Sequence, residues 1–394
     1  MTVPDHKVNV DEAKAILSQL NALDLQKSGS HQDFILKCQS LIDIFQKPGD
    51  KALEILTSFT VFPCLHVASD LGIFEKLSKG PLTARQLAEQ TGADLVLVAR
   101  LMRVIVGAKV VAEIDSETYA PTPISNLYAT SAYAAGFGMY GAIVDKLGCF
   151  PEYLRETNYR NPADHENGIF QYCFRTNLTT FQWINQNPEV ARDFNLFMTT
   201  RHAQQHWSDT YPVWKAISDG VTLDAQNPLV VDVGGGMGHD LQVLKTKLPS
   251  IRKGQLIVED QASVIDAIPA DMQDPDLQYV KYDFFTPQPV HGARVYLLKS
   301  IIHNWPDHKA VDILRNVASG MKRGYSKVWL FGAIVPDTNA PQMLAGLDII
   351  MMVLLAAMER TKQHIAELLD KAGMVLTDVQ MVGDGYGVIE AMLK

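Results

Sequence analysis

Apolar positions along this chain change their rhythm once, near residue 228. Before that point they recur mostly at helical spacing; after it, short β-rich runs alternate with helical stretches. Residues 11–47 predict helix, with apolar positions at helical spacing and few breakers. Residues 53–79 carry a wide apolar face and continue the pattern as far as Gly80. Thr83 then caps a short helix, ARQLAEQ, with Gln86 at the capping-box position. After a Thr91-Gly92 turn, residues 94–106 predict a second helix, and VVAEIDSETYAPT alternates through a charged turn as a small hairpin does. Helix, turn, helix and hairpin make a winged-helix pattern. Residues 123–215 predict further helices rich in aromatics, among them Tyr153, Phe170, Trp183 and Trp207, which serve a core or line an apolar ligand pocket.

Beyond residue 228 the runs LVVDV (229–233), LIVED (256–260), YVKYDFF (279–285), ARVYLLKS (293–300) and KVWLFGAIV (327–335) predict strands. Helical stretches lie between them, including DHKAVDILRNVASGM, whose Ala310, Val311, Leu314, Val317 and Met321 form one stripe. The alternation predicts an α/β fold with a parallel, doubly wound sheet. The end of the chain, GMVLTDVQMV then GVIEAMLK, predicts two strands closing one edge as a hairpin.

Composition narrows the function classes. Hydrophobic residues make up 47% and charged residues 20%, so the chain can bury a sizeable core. The net charge of -9 argues against a nucleic-acid partner, and Arg85, Arg100, Arg103 and Lys109 in the winged-helix region are offset by nearby acids. That leaves the region a structural or dimerisation role. Cys38, Cys64, Cys149 and Cys173 lie far apart with no C-x-x-C pair, so no metal site or redox pair is indicated. Scattered thiols and an N-terminus without a secretory pattern point to a cytoplasmic protein. The apolar stretches stay short of a membrane span, and IIMMVLLAAM (349–358) reads as a buried helix, so no membrane partner is expected.

The strongest motif is VVDVGGGMGHD (230–240), a strand entering a glycine-rich turn and then a helix. Glycine lets backbone approach a ligand closely. A dinucleotide turn would carry a third glycine where His239 stands, and Asp232 precedes the turn, which suits a cationic ligand better than a pyrophosphate. Glu259-Asp260 ends the next strand, where a ribose-binding carboxylate belongs, and Asp283-Phe284 offers a polar group and a ring for a purine.

Together DVGGGMGHD, the Glu-Asp pair, DFFTPQPV, KSIIHNWPD and ERT resemble the class I S-adenosylmethionine O-methyltransferases of plant and fungal secondary metabolism, over nearly the whole chain. The resemblance implies three regions: an N-terminal helical and winged-helix dimerisation domain (1–125), a helical substrate-pocket and linker region (126–220), and a Rossmann-like S-adenosylmethionine domain (221–394). It further implies a homodimer acting on a small molecule. The cofactor is expected at Asp232, at Gly234 and Gly236 near its methionine part, at Asp260 on the ribose, at Asp283 and Phe284 on the adenine, and at Lys299. His303 is implied as the base that takes a phenolic proton, with Glu359 as an acid that holds it.

Two departures stand out. The family reads His-Asp-Trp where this chain has His303-Asn304-Trp305, and Gly332 occupies the place of a second orienting carboxylate. Lys299, four residues before His303, and Arg201 in FMTTRHAQQHW are candidates to hydrogen-bond a substrate carbonyl. In this the chain is similar to the leporin-type fungal pericyclases, which resemble O-methyltransferases and bind S-adenosylmethionine yet catalyse dehydration and ring closure. These departures tilt the expectation toward a diverted cyclase or dehydratase of a polyketide pathway. The alternative is methyl transfer to a phenolic natural product with His303 as base. A third reading, a winged-helix regulator that senses S-adenosylmethionine, fits the acidic charge poorly.

Overall fold

A computed structural model of the chain describes residues 8–25, 30–202, 206–220, 222, 227–248, 251–383 and 385–394, and leaves out the side chains of residues 30–32 and 199–202. By packing, the chain divides into two compact units, Met1–Gly141 and Ala142–Lys394. Residues 126–220 do not form a unit of their own. Their larger part packs in the second unit, where Ile169, Phe170 and Cys173 share a core with Val353 and Leu354.

In the first unit the expected helix over 11–47 is two helices, Val10–Asn21 and Ser30–Phe45. The sequence between them carries Ser28 and Gly29, poor helix formers that the apolar spacing passes over. Residues 53–79 are likewise divided. Helices Pro48–Thr57 and Val61–Asp70 are joined through a 3-10 turn at Ser58–Thr60, and left-handed Gly72 (φ 64°) starts Ile73–Leu77. The run Pro48–Asp70, 23 residues with an 18-residue window of mean hydropathy 1.4, has the length and composition of a membrane span, which corrects the expectation that every apolar stretch falls short. Leu53, Ile55, Leu56 and Phe59 on it are exposed.

The winged-helix pattern folds as its residues dictate. Thr83 and Gln86 form the capping box of Ala84–Thr91, and Asp94 caps Leu95–Gly107. Strands β1 (Leu82–Thr83), β2 (Ala112–Asp115) and β3 (Thr118–Ala120) form an antiparallel sheet in the order β1-β3-β2. Phe74, Leu87, Met102, Ile105 and Tyr119 are buried at the centre of this unit.

The second unit is built on β4 (Val230–Val233), β5 (Leu256–Asp260), β6 (Leu277–Lys281), β7 (Val295–Lys299), β8 (Lys327–Val335), β9 (Arg360–Thr361), β10 (Met374–Gly383) and β11 (Tyr386–Leu393). Their order is β10-β11-β8-β7-β4-β5-β6, with β9 alongside β8. The strands β4 to β8 pair in parallel, and β11 joins β8 antiparallel as one arm of the C-terminal hairpin. From β4 the chain first runs outward through β5 and β6, then returns to β7 on the other side. A crevice opens at such a reversal, at the C-terminal ends of β4 and β7.

Two expected boundaries shift. The strand expected over 279–285 stops at Lys281, because Asp283 turns the chain: its carbonyl accepts Thr286 N–H at 2.8 Å and its Oδ1 accepts Phe285 N–H at 3.0 Å. The helix expected over 349–358 runs Gln342–Leu355 and ends at left-handed Ala356 (φ 49°), with Val353, Leu354 and Leu355 buried but Ile349 exposed. The stripe on Asp307–Gly320 faces the core as expected: Ala310 and Leu314 are fully buried between the sheet and the helix Lys362–Lys371. Leu314→Ala should therefore lower the unfolding free energy by ~2–5 kcal/mol. Denaturant unfolding followed by far-ultraviolet circular dichroism checks this, and a loss too small to measure would contradict the packing.

Candidate active site

The glycine turn after β4 takes backbone conformations that residues with side chains disfavour. Gly234, Gly236 and Gly238 have φ of 74°, 58° and 83°. A Cβ on Gly234 would meet Ile301 Cδ1 at 2.5 Å, with Phe284 Cε1 at 3.9 Å, and one on Gly235 would meet Asp232 Cγ at 2.7 Å. The carbonyl of Glu259, at the end of β5, accepts Gly234 N–H at 2.8 Å and Gly235 N–H at 3.0 Å, which fixes the turn to the neighbouring strand.

Acids line this edge. Asp260 Oδ2 accepts Gly236 N–H at 2.8 Å and Oδ1 accepts Gln261 N–H at 2.7 Å. Asp232 is buried, and its Oδ2 has no hydrogen-bond partner among the described residues. Burial, and then the charge of Asp240, push the Asp232 carboxyl well above its usual range. A buried, unpaired acid beside a glycine turn suits a cation. Phe284 is half-buried, reaches the glycine turn and packs edge-on to Trp305 at 5.9 Å, while Asp283 is exposed at the turn after β6. The structure thus gathers Asp232, Gly234, Gly236, Asp260 and Phe284 along neighbouring strand ends. These residues fit a sulfonium-bearing nucleoside: acid for the cation, carboxylate for the ribose, ring for the purine.

Lys299 changes its role. Its Nζ lies 2.9 and 2.7 Å from the two carboxylate oxygens of Asp240. Trp207 Nε1 donates to the same carboxylate at 2.9 Å, and His206 Nε2 lies 2.9 Å from it. Burial alone would raise Asp240, but the bonds from His206, Lys299 and Trp207 hold it below the usual carboxylate range. The ammonium expected to polarise a substrate carbonyl is therefore engaged by a buried carboxylate at the start of the helix His239–Lys247. Arg201, the other expected carbonyl donor, belongs to the helix Pro188–His202, but its side chain lies outside the described residues.

His303 follows β7 in a short 3-10 turn, Ile302–Asn304. Its Nδ1 is 2.7 Å from Glu359 Oε1, and the Glu359 side chain is only 1% exposed. A carboxylate can only accept, so this bond calls for a proton on Nδ1, and a neutral ring then keeps its lone pair on Nε2. Glu359 is itself anchored: its N–H donates to Asp348 Oδ1 at 2.9 Å. Asn304 Nδ2 donates to the carbonyl of Ser300 at 3.0 Å, a bond that a carboxylate at this position could not make. His303 and Glu359 line a pocket together with Ser300, Phe331, Gly332 and Met358. Among the described residues beyond its chain neighbours, no atom lies within 4 Å of where a Cβ on Gly332 would stand, so the place of the second carboxylate is open space. Sequence reasoning missed Asp240, Asp348 and His206, and read Trp207 as a core or pocket aromatic without its bond to Asp240. Asp240 lay in plain sight as the last residue of the glycine motif; the others carry no local signal.

Residues 160–375 match the model of the O-methyltransferase domain, and residues 53–131 that of the O-methyltransferase dimerisation domain. The chain belongs to the O-methyltransferase family. The O-methyltransferase penC of Penicillium thymicola is 35% identical over the full length of both chains. Among solved structures, the pericyclase LepI in complex with S-adenosylmethionine is 26% identical, with a TM-score of 0.82 over 98% of this chain and all of that one. OxaC in complex with S-adenosylhomocysteine and oxaline is 28% identical, with a TM-score of 0.81 over 98% of each chain. This family member of fungal secondary metabolism takes S-adenosylmethionine as its cofactor.

A raised Asp232 has a measurable consequence. A carboxyl raised in this way holds its proton more tightly than a free one, and a cation that stabilises the carboxylate displaces that proton. Affinity for S-adenosylmethionine should therefore rise with pH, and calorimetry in buffers of different ionisation enthalpy should show proton release, lost in Asp232→Asn. Binding with no proton release at any pH near neutrality would contradict this.

Proposed function

We propose that this family member transfers a methyl group to an acidic hydroxyl of an apolar, ring-containing natural product, working as a homodimer. The observation that carries the reading is the His303–Glu359 hydrogen bond. S-adenosylmethionine supplies an electrophilic methyl on a positively charged sulfur. His303 Nε2, with its lone pair free, accepts the hydroxyl proton as the oxygen becomes nucleophilic. Glu359 accepts the Nδ1–H bond, keeps the ring in one tautomer and stabilises the imidazolium that forms. Tyr153, Phe174, Trp183 and Met352, in the cluster beside the helix Gln342–Leu355, are partly buried and supply apolar surface of the kind that holds flat rings.

A second reading has its own observation. Gly332 leaves open space where a second orienting acid would stand, and the chain is similar to LepI. In that reading His303 assists the loss of water or a ring closure, and no methyl moves. The engagement of Lys299 by Asp240 counts against it, because the cation it needs is already paired.

Incubation with methyl-labelled S-adenosylmethionine and a panel of phenols, enols and hydroxypyridones separates the two. Methyl transfer predicts one S-adenosylhomocysteine per labelled product, and a rate loss of ~10²–10⁴-fold in His303→Ala. An isomeric or dehydrated product without S-adenosylhomocysteine would overturn methyl transfer in favour of the second reading.

A further inference from the structure

Glu359 immediately precedes β9, which begins at Arg360, and the two side chains reach different partners. Glu359 reaches the ring of His303; Arg360, 3% exposed, reaches the backbone on either side of it. Arg360 Nη1 donates to the carbonyl of Ile302 at 2.7 Å, and Nη2 donates to the carbonyl of Trp305 at 2.7 Å. Nε and Nη2 also donate to Asp307 Oδ1, at 3.0 and 2.9 Å. The other Asp307 oxygen lies 2.8 Å from His364 Nε2. Burial would raise the Asp307 carboxyl, but the bonds from His364 and Arg360 hold it below its usual value, so it stays a carboxylate.

The turn that carries His303 needs this support. Ser300 has φ of 54°, a conformation unfavourable for any residue with a side chain. It is held by its own N–H to Phe331 O at 2.8 Å and by Asn304 at its carbonyl. The 3-10 turn that follows is three residues long and contributes few bonds of its own. A planar guanidinium with five donors can hold two carbonyls and a carboxylate together; an ammonium, a point donor, cannot.

We propose that Arg360 is a positioning residue for His303: it fixes the backbone at Ile302 and Trp305 while Glu359 fixes the ring. The inference rests on the reading of His303 as the proton acceptor. Its test reads His303 directly and needs no substrate, so its failure and the failure of methyl transfer are told apart. The full-length protein is prepared as Arg360→Met and Arg360→Lys with labelled histidine, the His303 signals being assigned by His303→Gln. Nuclear magnetic resonance measures how fast the Nδ1 proton exchanges with water; calorimetry measures S-adenosylhomocysteine affinity. The expected result is exchange at least about tenfold faster in both variants, because the Nδ1–H bond to Glu359 opens more often, with affinity within about threefold of the parent. If Arg360→Met does not fold, Arg360→Lys is read alone. Unchanged exchange in a folded variant overturns the proposal, as does an affinity loss that matches the change in exchange, which would mark a general loosening of the fold.

Discussion

The hydrogen bond of 2.7 Å between His303 and Glu359 joins segments 56 residues apart, and the elements around it are arranged so that it can form. A neutral imidazole has two tautomers, and only one leaves a lone pair on Nε2. A buried carboxylate at Nδ1 selects it. Burying that carboxylate is costly unless it is bonded; the His303 ring supplies the bond, and Asp348, which accepts the Glu359 backbone N–H, fixes the segment that carries it. The turn after β7 accepts a strained Ser300 to bring His303 there, and β9 is aligned on β8 through the pairing of Ile334 with Arg360.

The cofactor edge follows a different logic. Acids are grouped there: Lys299 is committed to Asp240, and Asp232 has an oxygen with no partner among the described residues. In a folded apoprotein that arrangement is unfavourable, and a positively charged ligand relieves it. Cofactor affinity and pH are coupled through the same residues that shape the pocket. His206 and Trp207 extend the coupling, since they bond Asp240 from a segment distant in sequence.

Much of this was legible in the sequence because it is written locally. The glycine turn, the acids at the ends of β4 and β5, the helical stripe of Asp307–Gly320 and the capping box at Thr83 each depend on residues within a few positions of one another. Contacts between distant segments were not legible. Nothing in KSIIHNWPD shows that Lys299 meets Asp240, 59 residues away, or that Arg360 reaches over the His303 turn. The break between the first two helices was hidden for the opposite reason: helical spacing of apolar residues persists across a stretch whose Ser28 and Gly29 resist helix. Asn304 looked like a lost acid, but its amide closes the turn on Ser300.

The central claim is that His303 rests with its proton on Nδ1 and a bare Nε2 toward the pocket. The nitrogen spectrum of histidine-labelled protein at neutral pH reads this directly. The account predicts one protonated nitrogen, coupled as Nδ1, and one unprotonated nitrogen, Nε2. A His303 with its proton on Nε2, or one averaging freely between the two tautomers, would contradict it.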